Sequence, residues 1–195
     1  MKHVIRAVRH EDWARIKALR LDALRDPVAH LAFHETREQA AAQPDGFWQD
    51  RAAGAAEGRT VRQFVAETAE TMGTAEGRWL GTVSVLVEQP GVECFFGDVP
   101  EVLQTHIVGV FVRPEARGTG LAEDLLRAAL EWSWSLTEPP VERVRLFVHE
   151  DNARAEAMYG KVGFKRTGHS VPAAADPARS DSELALLRSG GWADP

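Results

Sequence analysis

Apolar residues recur along the chain with two periods, and the switches between them mark out the elements. Residues 3–8 alternate polar and apolar and predict a first strand. Glu11 and Asp12 then open a helix with apolar positions Trp13, Ile16, Leu19, Leu21 and Leu24, closed before Pro27. Residues 28–43 carry no clean period, with a second helix predicted around 36–42. Pro44-Asp45-Gly46 is punctuation, and 47–53 reads as another short helix ending near Gly54 or Gly58. Strands follow at 62–67 and 79–87, joined by a hairpin-type loop over 68–77. Residues 90–102 form an extended loop or a small insertion, with Glu93, Asp98 and Glu101 beside Cys94, Phe95 and Phe96. Then come a β-branched strand at 105–112, a helix over 118–135, a strand at 141–148 and a helix after Asn152. An antiparallel pair, 164–171 and 184–188, closes the chain. Its linker, 172–182, is rich in Pro, Ala, Ser and Asp and reads as mobile. Strands and helices do not alternate strictly, so the pattern predicts an α/β chain with a mixed sheet rather than a doubly wound one.

Composition changes this picture little. The 195 residues are 44% apolar and 27% charged, which suits one domain with a substantial core. A net charge of −6 argues against a general nucleic-acid binder. The single cysteine, Cys94, allows no internal disulfide and no cysteine-rich zinc site, so no metal is expected. The start of the chain has no signal-like apolar run, and no stretch is long enough to span a bilayer. The expectation is a cytoplasmic protein that does not engage membranes.

The densest chemistry lies where the strand at 105–112 turns into the following helix. Pro114 stops the ladder, while Gly118 and Gly120 let the backbone turn sharply and approach a ligand closely. From Leu121 onward Leu125, Leu126, Ala129 and Leu130 recur at helical spacing. Such a turn aims unpaired N–H groups and the positive end of the helix dipole at one point, an anion site best suited to phosphate, to which Arg117 can add charge. The lysine of a Walker loop is missing, and so is the third glycine of a dinucleotide fingerprint. A glycine-tightened turn with no ligand is the plain alternative.

What remains, Arg117, Gly120 and Ala122, resembles the Gln/Arg-x-x-Gly-x-Gly/Ala signature of the GNAT superfamily of N-acetyltransferases. A second stretch resembles that family's other cofactor segment: Asn152 after a strand, Tyr159 seven residues on, then Gly163-Phe164 opening the next strand. The likeness is good over about 78–170. It implies one domain over 1–195, with a helical acceptor-site part at about 10–58 and a cofactor core at about 78–170. It also implies a mostly antiparallel sheet in which two central parallel strands, 105–112 and 141–148, splay apart. Acetyl-CoA would sit there, its pantetheine on the main chain of Val110, Phe111 and Val112. Its pyrophosphate would lie on Arg117, Gly118, Thr119, Gly120, Leu121 and Ala122, with Asn152 and Tyr159 beside it. The reaction implied is direct attack of an amine on the thioester. The acceptor would be a small molecule or peptide, and the enzyme a monomer or homodimer. A catalytically silent acetyl-CoA sensor on the same fold, or a simpler nucleotide-binding protein, are the competing functions.

Amine attack on a thioester needs a neutral amine, a polarised carbonyl and a proton for the thiolate. Tyr159 holds the position at which the family often places its general acid; otherwise it is a core-edge tyrosine. Asn152 is equally a helix cap. His106 is the first candidate base, because histidine needs little tuning near neutral pH, followed by His149 and Glu88. His30, Phe33, His34, Phe47 and Trp48 are candidates to line the acceptor wall, the last two being equally suited to a core. The acids Glu88, Glu93, Asp98 and Glu101 either draw in a cationic amine or form a solvated loop.

Overall fold

Seven strands make one sheet in a computed structural model that describes residues 2–69 and 77–188. They are β1 (His3–Ala7), β2 (Val61–Thr68), β3 (Trp79–Glu88), β4 (Gln104–Val112), β5 (Arg143–His149), β6 (Lys165–Pro172) and β7 (Ser180–Leu187). The spatial order is β1-β2-β3-β4-β5-β7-β6. Every neighbouring pair is antiparallel except β4 and β5, which run parallel. This is the mixed sheet that the element order predicts. Most of the loop expected at 68–77 lies outside the described residues.

Helices cover both faces, and their apolar stripes say which. Helix α1 (Trp13–Ala23), α2 (Arg37–Ala42) and α3 (Asp45–Glu57) bury Ile16, Leu19, Ala40, Trp48 and Ala52 against Val65, Trp79 and Phe111. Helix α4 (Leu121–Ser135) places Leu121, Leu125, Leu126, Ala129 and Leu130 on the other face, over Leu80, Val83, Val144 and Leu146. Helix α5 (Ala153–Val162) buries only Tyr159. Caps follow the sequence. Thr36 and Gln39 form a capping box at α2, and the Asn152 side chain accepts from the Ala155 N–H at 3.3 Å.

Two local readings change. The third helix starts before residue 47, because Pro44 leaves Asp45 free to open it, and of the two closures offered by the sequence Gly58, at φ 68°, is the one that ends it. The segment read as a mobile linker over 172–182 is a hydrogen-bonded turn. The Ala173 N–H donates to the Arg179 carbonyl, the Arg179 N–H to the Asp176 carbonyl, and β7 already begins at Ser180.

Candidate active site

The parallel pair β4–β5 is joined only at Gln104–Arg143, Thr105–Val144 and His106–Arg145. Beyond His106 the two strands part. On the opposite edge of β4, Thr82 faces Phe111 but Ser84 faces Val108, so β4 carries one residue more than β3 between those two pairs. That bulge is possible because Gly109 takes φ 62°, which a side chain would disfavour, and it bends β4 away from β5. Two connected cavities fill the opening. One, of about 580 Å³, runs over Phe33, His34, Phe96, His106, Phe147 and Tyr159. The other, of about 480 Å³, runs from Val110, Phe111 and Val112 to Arg117, Gly118, Gly120, Leu121 and Ala122. Ala32, Phe33, Val110, Asn152 and Tyr159 line both, so the two chambers meet at Val110 and Tyr159.

The second chamber ends on the glycine turn. Gly118 and Gly120 sit at φ 77° and 86°, with nothing within 4 Å of where a Cβ would stand. Among the described residues, no carbonyl accepts from the amides of residues 118–122. Open space, free amides and the start of a 15-residue helix together suit a pyrophosphate. Of the cations on this lining, Arg117 already has a partner. Arg117 is tied to the Asp26 carboxylate, and its Nε donates to the Val112 carbonyl at 3.0 Å, so it braces the turn. Burial alone would raise the Asp26 carboxyl; the Arg117 hydrogen bond, the Val28 N–H and the Arg117 and Arg154 charges together outweigh it and hold that carboxyl below its ordinary range. Arg154 and Lys161, which sequence reasoning missed, line this chamber together with Arg117. Thr119 is exposed and turns its hydroxyl back to the Ala116 carbonyl at 2.7 Å, outside the lining.

Tyr159 is buried, with its ring edge-on to Phe164 at 6.2 Å. Its hydroxyl has no hydrogen-bond partner among the described residues, and burial pushes its pKa up to about 12. It therefore stays protonated at any working pH and is free to donate into either chamber.

His106 is buried at the last paired position of β4, with Nδ1 3.0 Å from Glu88 Oε1. Because an ionised carboxylate only accepts, Nδ1 carries the proton; in the neutral ring Nε2 keeps its lone pair. The same carboxylate accepts from Arg145 at 2.7 and 2.9 Å and from Gln104 at 2.7 Å. Arg145 also reaches Asp98 at 2.7 Å and Glu183 at 3.2 Å. Burial would raise the Glu88 carboxyl, but the hydrogen bonds from His106 and Arg145 win and hold it at about 2. A carboxyl lowered from 4.5 to about 2 on folding adds stability above pH 4.5, and that stability is lost as the pH falls toward 2. Urea midpoints measured across that acid range should show Glu88→Gln destabilised at neutral pH and less sensitive to acid than the parent chain.

Several candidates lie elsewhere. Glu88 lines neither chamber and serves as the partner of His106 and Arg145. His149 is buried at the end of β5, where Nδ1 accepts from the Asp151 N–H at 3.1 Å, shaping the turn before α5. His30 is exposed on a 3-10 turn, away from both linings. Trp48 is fully buried in the α1–α3 core, so the core reading holds for it, while Phe47 lies edge-on against it at 5.2 Å but is exposed, and it lines neither chamber. Of the acidic loop, Asp98 is spent on Arg145, while Glu93 and Glu101 are exposed. The loop's Phe96 stacks 4.3 Å from Phe147, and His34 meets both Phe95 and Phe96 at 5.5 Å. That aromatic roof, like Arg145, escaped the sequence reading. The one available signal was an arginine inside an apolar strand, which demands a buried partner.

A family model for GNAT acetyltransferases matches residues 13–164. The chain belongs to the GNAT acetyltransferase family. A mycothiol acetyltransferase from Saccharomonospora viridis is 40% identical over 91 residues, 47% of this chain but only 28% of that relative's length. Among solved structures, a GNAT-family acetyltransferase from Streptococcus pneumoniae superposes with a TM-score of 0.72 at 16% identity, covering 95% of this chain and 99% of that one. Arabidopsis thaliana NAA60 in complex with a bisubstrate analogue gives 0.69 at 14% identity, covering 97% and 100%. Spermidine N-acetyltransferase from Vibrio cholerae, in complex with CoA and spermine, gives 0.67 at 18% identity, covering 96% of each chain. At these identities the likeness to the solved structures is one of fold. Splayed parallel strands and a glycine turn before α4 are thus features of a GNAT chain.

Proposed function

We propose that this GNAT chain moves an acetyl group from acetyl-CoA to a primary amine by direct attack. The observation that carries the reading is the meeting of two chambers at Val110 and Tyr159, one ending on free turn amides, the other on a histidine. Acetyl-CoA supplies the activated acetyl group; everything else falls to the chain. The turn amides and Arg154 and Lys161 bind the phosphates. Backbone N–H near Val110 polarises the thioester carbonyl. His106, oriented by Glu88, takes a proton from the amine through Nε2, directly or through one water. The Tyr159 hydroxyl gives its proton to the departing sulfur. A silent acetyl-CoA sensor is disfavoured by the open acceptor chamber, which a protein that only senses the donor does not need.

Rate should rise with pH while the attacking amine and its base lose their protons. His106→Ala should depress the low-pH limb of that profile selectively, with acetyl-CoA affinity retained in calorimetry. A profile unchanged in shape and height would remove His106 from the proton path.

A further inference from the structure

We propose that the acceptor chamber contains an oxyanion subsite built from the Arg51 guanidinium and the Ser84 hydroxyl, and that the acceptor is a primary amine that also carries a carboxylate. The proposal rests on the acetyl-transfer reading of the same chamber and narrows its acceptor.

Arg51 projects from α3 into the acceptor chamber and also lines a small adjoining pit with Arg20, Gln63, Ser84 and Gly109. The acid beside it, Glu35, is taken by Arg20 at 2.6 Å. Among the described residues no carboxylate or carbonyl lies within hydrogen-bond distance of Arg51. Its neighbour is the Trp48 ring, 6.0 Å from centroid to guanidinium carbon. Burial pushes the Arg51 pKa down, and the Arg20 charge pushes the same way. Ser84 is buried in β3, lines both the pit and the chamber, and its hydroxyl likewise has no partner among the described residues. Two cations and one anion leave this end of the chamber with a net positive charge inside a largely apolar wall. A cation taken from water without a counter-ion is destabilising, and a planar carboxylate matches the guanidinium fork. Glu88 and Asp98 are both hydrogen-bonded to Arg145 and line neither the pit nor the chamber. A polyamine would place further positive charge beside Arg20 and Arg51 at this end of the chamber, which selects against it there. Phe33, Phe96 and Phe147 give the body of the acceptor apolar walls to lie on.

The test compares phenylalanine, tryptophan and leucine with their carboxamides, and with spermidine, as acceptors for the full chain. Acetyl-CoA affinity is measured on the same samples by calorimetry. The acids should be used with kcat/KM about 10- to 100-fold above their amides, the span of a charged hydrogen-bonded pair. Arg51→Met should collapse that ratio, and Arg51→Lys should keep part of it. If Arg51→Met fails to fold, Ser84→Ala should narrow the same ratio. If no member is turned over, direct binding of acid against amide is read by NMR titration. Equal use or equal binding of acids and amides, preference for spermidine, a ratio that survives Arg51→Met, or no binding at millimolar concentration would each overturn the proposal. Failure of the parent chain to bind acetyl-CoA would instead overturn the acetyl-transfer reading, and the acid-to-amide binding ratio would still report on the subsite.

Discussion

Gly120→Glu is expected to lower acetyl-CoA affinity by orders of magnitude while the chain stays folded. Gly120 stands at φ 86° as the residue that starts α4, and the space around it is open. A side chain there meets no clash, so the strain is that of one left-handed residue, about 1–2 kcal/mol. Ligand binding suffers far more. The carboxylate would project where the free amides of residues 118–122 and the helix dipole converge, presenting like charge to a pyrophosphate. Gly120→Ala separates the two effects, since it adds the strain without the charge and should bind at an intermediate level. Calorimetry on folded Gly120→Glu with undiminished affinity would mean that the phosphates lie elsewhere.

Tyr159→Phe should give the second large effect, this time on turnover. The ring packs edge-on to Phe164, and the hydroxyl makes no bond that holds the fold, so packing and acetyl-CoA affinity should stay close to those of the parent. A thiol of pKa ~8.5 leaves about 2 kcal/mol uphill from an ordinary phenol near 10. Burial to about 12 widens that to about 5 kcal/mol, so the proton must pass as the sulfur departs and not after. A weaker acid contributes less, which places the loss in kcat toward the lower end of the ~10²–10⁴-fold span of general acids. The expected pattern is a fall in kcat with little change in donor affinity. Equal falls in both would make Tyr159 a binding residue, and no fall in either a structural one.

The donor half of the site was legible because its signals are local. A glycine turn feeding a helix and an asparagine cap with a tyrosine seven residues on are written in short stretches, and both lie where the sequence implied. The parallel strands that part after His106 were implied by the family resemblance, not by the element order, which called only for a mixed sheet. Acceptor-side chemistry was less legible because distant residues make it. Glu88, His106 and Arg145 meet across three strands, and their separate roles follow from which partner each finds. Sequence alone could not tell that Arg145 would hydrogen-bond both Glu88 and Asp98, so both read as free acids. Trp48, as suited to a wall as to a core from its sequence, belongs to the core because α3 packs it among Ile16, Leu19, Val65 and Phe111. Arg51 and Ser84 carried no local signal; their meaning comes from the partners they lack.

The central claim is that this chain acetylates an amine, and it can be tested without knowing which one. The purified protein is incubated with acetyl-CoA labelled in its acetyl carbons and a mixture of amino acids and polyamines, and products are resolved by mass spectrometry. The account predicts labelled N-acetyl amine with matching release of free CoA, rising with pH and strongly reduced by Tyr159→Phe. Acetyl-CoA that binds but keeps its label, or yields labelled acetate alone, would contradict it.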